Sequence, residues 1–507
     1  MDLKISNFDL TTKQIKLSQT AEIPMDIDIT LSEYSEKIDK VLRCSSLVFI
    51  TSKQISGSTL NVEGNLLVSI IYCDVDGDIS ALEKQTPFKK SFEGAEFPQG
   101  AEADATATAN VISCTALTDQ RLTVKAGIKI DVTVTSTEKQ EVICDLDNIF
   151  FEQLKGKANT STTIGKATKP FIIDEEFAIS QERAAINKIL RYNYCISLVE
   201  AKIVSNKILV KGNLNLNIFY RTNSGGCENV KNTIPFNQIV DLNGVTEDCR
   251  CDVNFEICSI NLTTRTSPNG ECRTFMLVAK LVATTEAICE NDLPIIYDLY
   301  SKKCEIEVTK KEISFEKIIH QKAESFMCKK SISLPESEIA EVMALWCESG
   351  RCVSHFDEQT LKVSGAVSVC IIYKTKEGSI SYFERVIDFD QHIQINEKAN
   401  SPKCNCKAEI LNTTFNLGVG GEIEVCTELQ ISSTVYDTKA LKVITEVEVL
   451  EENNKNAPSL IAYFAEKGEN VWEISKKFLA DRETLFSIND IDEEIISNPK
   501  VMIIPRF

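Results

Sequence analysis

The stretch ILVKGNLNLNIFYR, Ile208 to Arg221, decides the fold. Ile208, Val210, Leu214, Leu216, Ile218 and Tyr220 fall on every second position, so a β-strand would put them all on one face. Gly212 falls on that same face, where a packing side chain belongs. Glycine inside a strand weakens it and marks a bulge, a bend or a close approach by another group.

Two further segments repeat the pattern: LNVEGNLLVSIIY, Leu60 to Tyr72, and LKVSGAVSVCIIY, Leu361 to Tyr373. Gly64, Gly212 and Gly365 are each followed eight residues later by a tyrosine, Tyr72, Tyr220 and Tyr373. A period of about 150 residues is too long for a solenoid and suits tandem domains. These six residues are structural marks of a repeat, and packing, not ligand binding, is the expected role of the glycines, which offer only backbone.

Other features keep the same offsets. Ile38, Val41 and Leu42, then Ile186, Ile189 and Leu190, then Ile339, Val342 and Met343 are spaced i, i+3, i+4, the stripe of a short helix. Thr30 with Glu33 and Ser333 with Glu336 fit a capping box, and Ser180 fits an N-cap. Downstream of each marked strand lies a second segment with a phenylalanine, Phe88, Phe236 or Phe389, and then more alternating strands such as Leu122–Val134 and Ile423–Val435. Alternation suits antiparallel sheets with one wet face. The expected architecture is mainly β, with three tandem sandwich- or barrel-like units, each preceded by a short helix, over residues 1–150, 171–303 and 328–450. Lys155 to Pro170 and Glu451 to Ser459 read as polar linkers.

Composition narrows the function. The 507 residues carry a formal net charge of −19, which argues against nucleic acid or an anionic membrane surface as a partner. No apolar run approaches the 18 or so residues of a membrane helix, and no secretory signal opens the chain, so a cytosolic protein is expected. Nineteen cysteines without an export signal read as reduced, small hydrophobic side chains. Cys249/Cys251, with Cys258 or Cys272 as conceivable partners, and Cys347, Cys352, Cys404 and Cys406 leave metal binding as the lesser alternative. His320, His355 and His392 stand in polar contexts and read as surface residues. No nucleotide-binding loop or catalytic motif is present, so neither an enzyme nor a cofactor is expected.

Residues 460–507 differ from the rest, in strand–helix–helix–strand order. Tyr463, Gly468, Trp472, Ile474, Leu485, Asn489, Ile503 and Pro505 occupy the places of the LysM pattern, which this segment resembles. LysM modules bind N-acetylglucosamine polymers through two loops, here Glu469 to Trp472 and Asn489 to Asp492. The contact set implied for a partner or a glycan is Leu460, Tyr463, Gly468, Glu469, Asn470, Val471, Trp472, Ile474, Asn489, Asp490 and Ile491. Gly-marked repeats before a terminal LysM, with Asp298-Leu299-Tyr300-Ser301 as a DxYS-like stretch, resemble the SPOCS-domain family of spore-forming bacteria, in the combination found in spore-coat morphogenetic proteins of clostridia. That resemblance implies a non-enzymatic scaffold in the mother-cell cytoplasm, at the forespore surface. Its partners would be the coat basement-layer ATPase and other coat proteins, with peptidoglycan as the alternative. Trp472 is then either an exposed docking anchor or a cap on the module's core.

Overall fold

The structure, a computed structural model, describes residues 4–268, 270–334, 339–418, 422–452 and 459–505. It is built almost wholly of antiparallel strands. The first eighteen fall into three sets of six. The first set is β1 (Lys4–Thr30), β2 (Ile38–Ser56), β3 (Thr59–Asp74), β4 (Ile79–Glu93), β5 (Glu102–Thr118) and β6 (Arg121–Asp147). The second is β7 (Phe151–Ala178), β8 (Ile186–Val204), β9 (Lys207–Thr222), β10 (Cys227–Asp241), β11 (Arg250–Thr266) and β12 (Cys272–Ser301). The third is β13 (Cys304–Ser333), β14 (Ile339–Asp357), β15 (Thr360–Thr375), β16 (Ile380–Gln394), β17 (Pro402–Leu417) and β18 (Glu422–Glu452).

Each set makes two three-stranded sheets. In the first the orders are β2-β3-β4 and β1-β6-β5, and the other two sets repeat both orders. Apolar faces of the two sheets meet in one core per unit. Leu60, Val62, Leu66, Val68 and Ile70 of β3 there face Leu122, Val124, Ile128 and Ile130 of β6, all with no more than 1% of their surface exposed. Each such side chain contributes on the order of 1.5–3 kcal/mol.

The marked glycines explain themselves in this register. Gly64, Gly212 and Gly365 stand directly across from Phe88, Phe236 and Phe389 on the neighbouring strand. Each phenylalanine lays its ring over the glycine, so that a Cβ would meet ring atoms at 2.6 Å at Gly64 and Gly365, and closer still at Gly212. On its other side each glycine faces a β-bulge, at Ile50/Ser52, Leu198/Glu200 and Ser349/Cys352.

The expected short helices are strands. Ile38, Val41 and Leu42 open β2, Ile186, Ile189 and Leu190 open β8, and Ile339, Val342 and Met343 open β14. Two bulges in quick succession, at Ile38/Lys40 and Val41/Arg43, and at the matching places in β8 and β14, each insert a residue. An inserted residue turns period two into a local period of three, which imitates a helix. Thr30 and Ser333 end strands, and Ser180 opens a single turn closed by Arg183 N–H on its carbonyl at 3.1 Å. Glu336 lies outside the described residues.

Residues 155–170, expected as a linker, are the middle of β7, paired with β12 from Lys155↔Ile296 to Pro170↔Val282. In each unit the long first and last strands run beyond the sheet as a two-stranded ribbon, and the three ribbons pack together. Leu10, Val142, Ala158, Ile295, Phe315 and Val443 share one core there. Small side chains allow the close approach: Ala158 and Thr160 are buried, Thr160 Oγ1 donates to the Glu316 carbonyl at 3.1 Å, and Ile318 N–H donates to Ser161 Oγ at 2.8 Å. Of the second polar stretch, 453–458 lie outside the described residues.

The units also meet where the marked strands end. Ile71, Phe219 and Ile372, on the face opposite the tyrosines, join Leu42, Leu190, Ala344 and Trp346 in a core shared by all three. Beside it, Glu348 accepts from Arg191 at 2.7 Å, from Arg43 at 3.0 Å and from Trp346 Nε1 at 3.0 Å. The Arg191 guanidinium lies over the Trp346 ring at 4.8 Å. Burial alone would raise the Glu348 pKa, but the two guanidiniums and the indole N–H bring it below its ordinary value. This cluster borders a cavity of about 2040 Å³, walled by strands of all three units.

Candidate functional site: the C-terminal module and its seat

The last elements are β19 (Leu460–Ala465), α1 (Val471–Phe478), α2 (Arg482–Ile488) and β20 (Lys500–Pro505). Both helices start on a capping side chain. Asn470 Oδ1 accepts from Trp472 N–H at 2.8 Å, and Asp481 Oδ1 from Thr484 N–H at 2.9 Å. Leu479 stops α1 in the left-handed conformation, φ 53°. Val471, Ile474, Leu485, Met502 and Ile504 fill the core.

The module is seated on the ribbon of the second unit through Asp298-Leu299-Tyr300-Ser301. The Asp298 carboxylate accepts from Trp472 Nε1 at 3.0 Å and Lys476 Nζ at 2.6 Å, and its other oxygen from Lys310 Nζ at 2.8 Å. Tyr300 donates its hydroxyl to the Ala480 carbonyl at 2.6 Å and meets the Trp472 ring edge-on at 5.2 Å. Lys302 joins Asp481, at 2.6 Å, to Glu152, at 2.9 Å. Leu299 is buried in the ribbon core, and Ser301 Oγ accepts from Cys304 N–H at 3.1 Å. Every member of the stretch therefore has a structural task.

Trp472 is 2% exposed and engages Asp298 and Tyr300, so it is the key of the seat and not an exposed anchor. The loop residues of the expected contact set are also engaged. Glu469 accepts from Tyr463 OH and from Glu466 N–H, both at 2.8 Å. Asn489 donates to the Leu485 and Ile503 carbonyls and accepts from Ile503 N–H. Gly468 takes φ 94° in the turn after β19, and Asp490 takes φ 45° on the surface. Ile491 packs against the module core, while Leu460 is exposed.

The sequence reading missed a bare apolar face. Leu460 and the cross-strand pairs Ala462↔Ile503 and Phe464↔Val501 of β19 and β20 lie on the side away from the helices, while Pro505, opposite Leu460, is buried. Leu460, Phe464 and Val501 are 61–62% exposed. Two adjacent aromatics in a six-residue strand are the available signal, since Tyr463 turns in only if Phe464 turns out.

Burial would raise the Asp298 pKa, but the hydrogen bonds from Lys310, Lys476 and Trp472 outweigh it and hold the carboxyl at about 2. An unfolded aspartate titrates near 3.9. The stabilisation from this carboxylate is therefore complete above about pH 4 and lost as the pH falls through about 2. In a Trp346→Phe protein, where Trp472 is the remaining tryptophan, its emission is expected to shift to the red over that window. Asp298→Asn is expected to show red-shifted emission already at pH 7.

The cysteine and histidine expectations divide. Cys249, just before β11, is bonded to Cys289 of β12, a partner not foreseen. Cys404 and Cys406 form no disulfide. Among the described residues no group of three His, Cys, Asp or Glu is placed to hold a metal. His320 is buried, not on the surface, with Nε2 3.1 Å from Ser433 Oγ, and burial lowers its pKa. His355 and His392 are exposed. Among the described residues no helix is long and apolar enough to cross a membrane.

The family described as SipL, SPOCS domain matches the chain twice, over residues 37–117 and 185–265. No curated protein matches it. The matched segments run from β2 through most of β5 and from β8 through most of β11, so they take in the double bulge, the marked glycine and its phenylalanine in both units. Over residues 37–117 and 185–265 the chain thus carries two segments similar to the SPOCS domain described for SipL.

Proposed function

We propose that the chain is a non-enzymatic scaffold of the bacterial spore coat. Residues 304–452, with the same strand order, are its third SPOCS unit, and residues 460–505 are a LysM module. The module docks onto the coat's basement-layer ATPase at the forespore surface, within the mother-cell cytoplasm, and the three units present further surface to other coat proteins. One observation carries the docking role: the module shows an apolar sheet face to solvent while its tryptophan is locked inward. Exposed apolar patches of this kind serve protein interfaces. Glu469, Asn470 and Asn489 of the two sugar-reading loops are spent on internal hydrogen bonds, which favours a protein partner over a glycan.

A pull-down of the full-length protein on purified coat ATPase tests this. Phe464→Glu with Val501→Glu is expected to reduce retention about tenfold or more, the loss of a single good contact cluster. Equal retention would move the docking surface elsewhere. Sedimentation with peptidoglycan, without ATPase binding, would reinstate the glycan reading.

A further inference from the structure

In the second unit one residue of the β8–β9 hairpin clasps a neighbouring turn. Ser205 and Asn206 make the hairpin turn, at φ 36° and 64°. Asn206 then bonds three times to the turn that follows β10. Its carbonyl accepts from Leu242 N–H at 2.9 Å, and its N–H donates to the Val245 carbonyl at 3.5 Å. Its side-chain Oδ1 accepts from Gly244 N–H at 2.8 Å. Leu242 and Val245 are buried in a core with Ile203, Ile208 and Cys249, whereas Asn243 and Gly244 between them are exposed. Gly244 takes φ 81°, and a Cβ there would meet nothing nearer than the Ile164 side chain, at 3.7 Å.

We propose that Asn243 is a site of spontaneous deamidation, and that the Asn206 side chain holds the reaction in check. Asparagine is a labile residue, and most so before glycine, which has no Cβ to shield its nitrogen. In the reaction Gly244 N gives its proton to water or hydroxide and attacks Asn243 Cγ. A bond forms between that nitrogen and Cγ, and the bond from Cγ to the side-chain nitrogen breaks. The leaving nitrogen takes up a proton and departs as ammonia, which leaves a cyclic imide. One water then opens the ring at either carbonyl, giving aspartate or isoaspartate. Nothing is oxidised or reduced, and water is the co-reactant. The nitrogen that must attack is the one whose N–H Asn206 holds. While that bond lasts, the nitrogen keeps its proton and its place in the turn.

The product does not suit the clasp. Isoaspartate carries the main chain through the side-chain carbon, which adds a backbone atom between Leu242 and Val245. Both side chains are buried, and both residues are bonded to Asn206. The lengthened turn pulls at least one of them out of register. Either product also adds a carboxylate shortly before Glu247 and Asp248, in a chain that already carries −19.

The experiment incubates the full-length protein at mildly alkaline pH, maps it by mass spectrometry and counts isoaspartate by enzymatic methylation. Asn206→Gly suits the positive φ and removes the oxygen. It is expected to speed deamidation at Asn243 roughly fivefold, the rate equivalent of one net hydrogen bond. Asn206→Asp keeps an oxygen in place and should keep the native rate. Asn269-Gly270, the other such pair in the sequence, is the reference whose rate should not change. In urea all three proteins should deamidate at Asn243 at one rate. The same Asn243 rate in folded Asn206→Gly and in native protein would overturn the proposal. Hydrogen exchange of the native protein decides should the variant not fold. Protection of the Gly244 amide, in an exposed turn, is expected, and free exchange there would equally overturn the proposal.

Discussion

Gly212→Val destabilises the second unit by about 3 kcal/mol, the upper part of the range for overpacked sites. The added Cβ would lie inside contact distance of three atoms of the Phe236 ring. That ring is itself held between Phe171, with centroids 5.2 Å apart, and Phe255, at 5.4 Å, so it has nowhere to retreat. Two comparisons separate this cause from a general intolerance of substitution. Gly212→Val combined with Phe236→Ala should cost less than the sum of the two single changes, because each removes what the other collides with. Gly64→Ala should cost more than Gly212→Ala. At Gly64 the nearest atom is the Phe49 carbonyl oxygen, which is backbone and cannot swing aside. Denaturant unfolding of the five variants measures the order, and additivity of the double change would refute the ring–glycine explanation.

Glu348→Ala is expected to cost about 3 kcal/mol, the low end for a broken buried ion pair, because the Glu348 side chain keeps 31% of its surface accessible. The loss is large because of what stays behind. Arg43 comes from the first unit, Arg191 from the second and Glu348 from the third. Without the carboxylate, two guanidiniums of like charge are left facing each other, Arg191 with 14% of its side chain accessible. Replacing Arg191 and Glu348 together by Met and Leu should recover much of the loss, since no charge is then stranded. The stabilities of the single and paired variants, with Trp346 fluorescence as a local reporter, distinguish a junction held by charge pairing from one held by apolar contact alone.

How much of this was legible depends on how local its cause is. The alternation of Ile208 to Tyr220 is local, and the strand, its buried face and its threefold recurrence followed from it. The partner of Gly212 was half visible: Phe236 recurred at a fixed offset, but its placement across from the glycine needs the register. The bulges at the start of β2, β8 and β14 were read as helices, because an inserted residue shifts phase as a helical turn does. Lys155 to Pro170 reads as linker because Ala158, Thr160 and Ser161 are small, two of them polar, and small side chains are what three tightly packed ribbons require. The strand–helix–helix–strand order of the tail was readable from apolar spacing. The seat of Trp472 was not, since Asp298 and Tyr300 lie far from it in sequence.

The pairing of β1 with β6 has a consequence for synthesis on the ribosome. The first strand of each unit bonds to its last, from Lys4↔Asp147 in the first unit. Nearly the whole unit must therefore emerge before its opening strand finds its neighbour. Closing so long a contact is slow, and an unpaired strand edge invites other chains while it waits. The polar and charged residues that make 155–170 look like a tether protect that stretch of β7 during the delay. Each unit is complete only as the next begins, and the seat for the tail is ready before the tail is made.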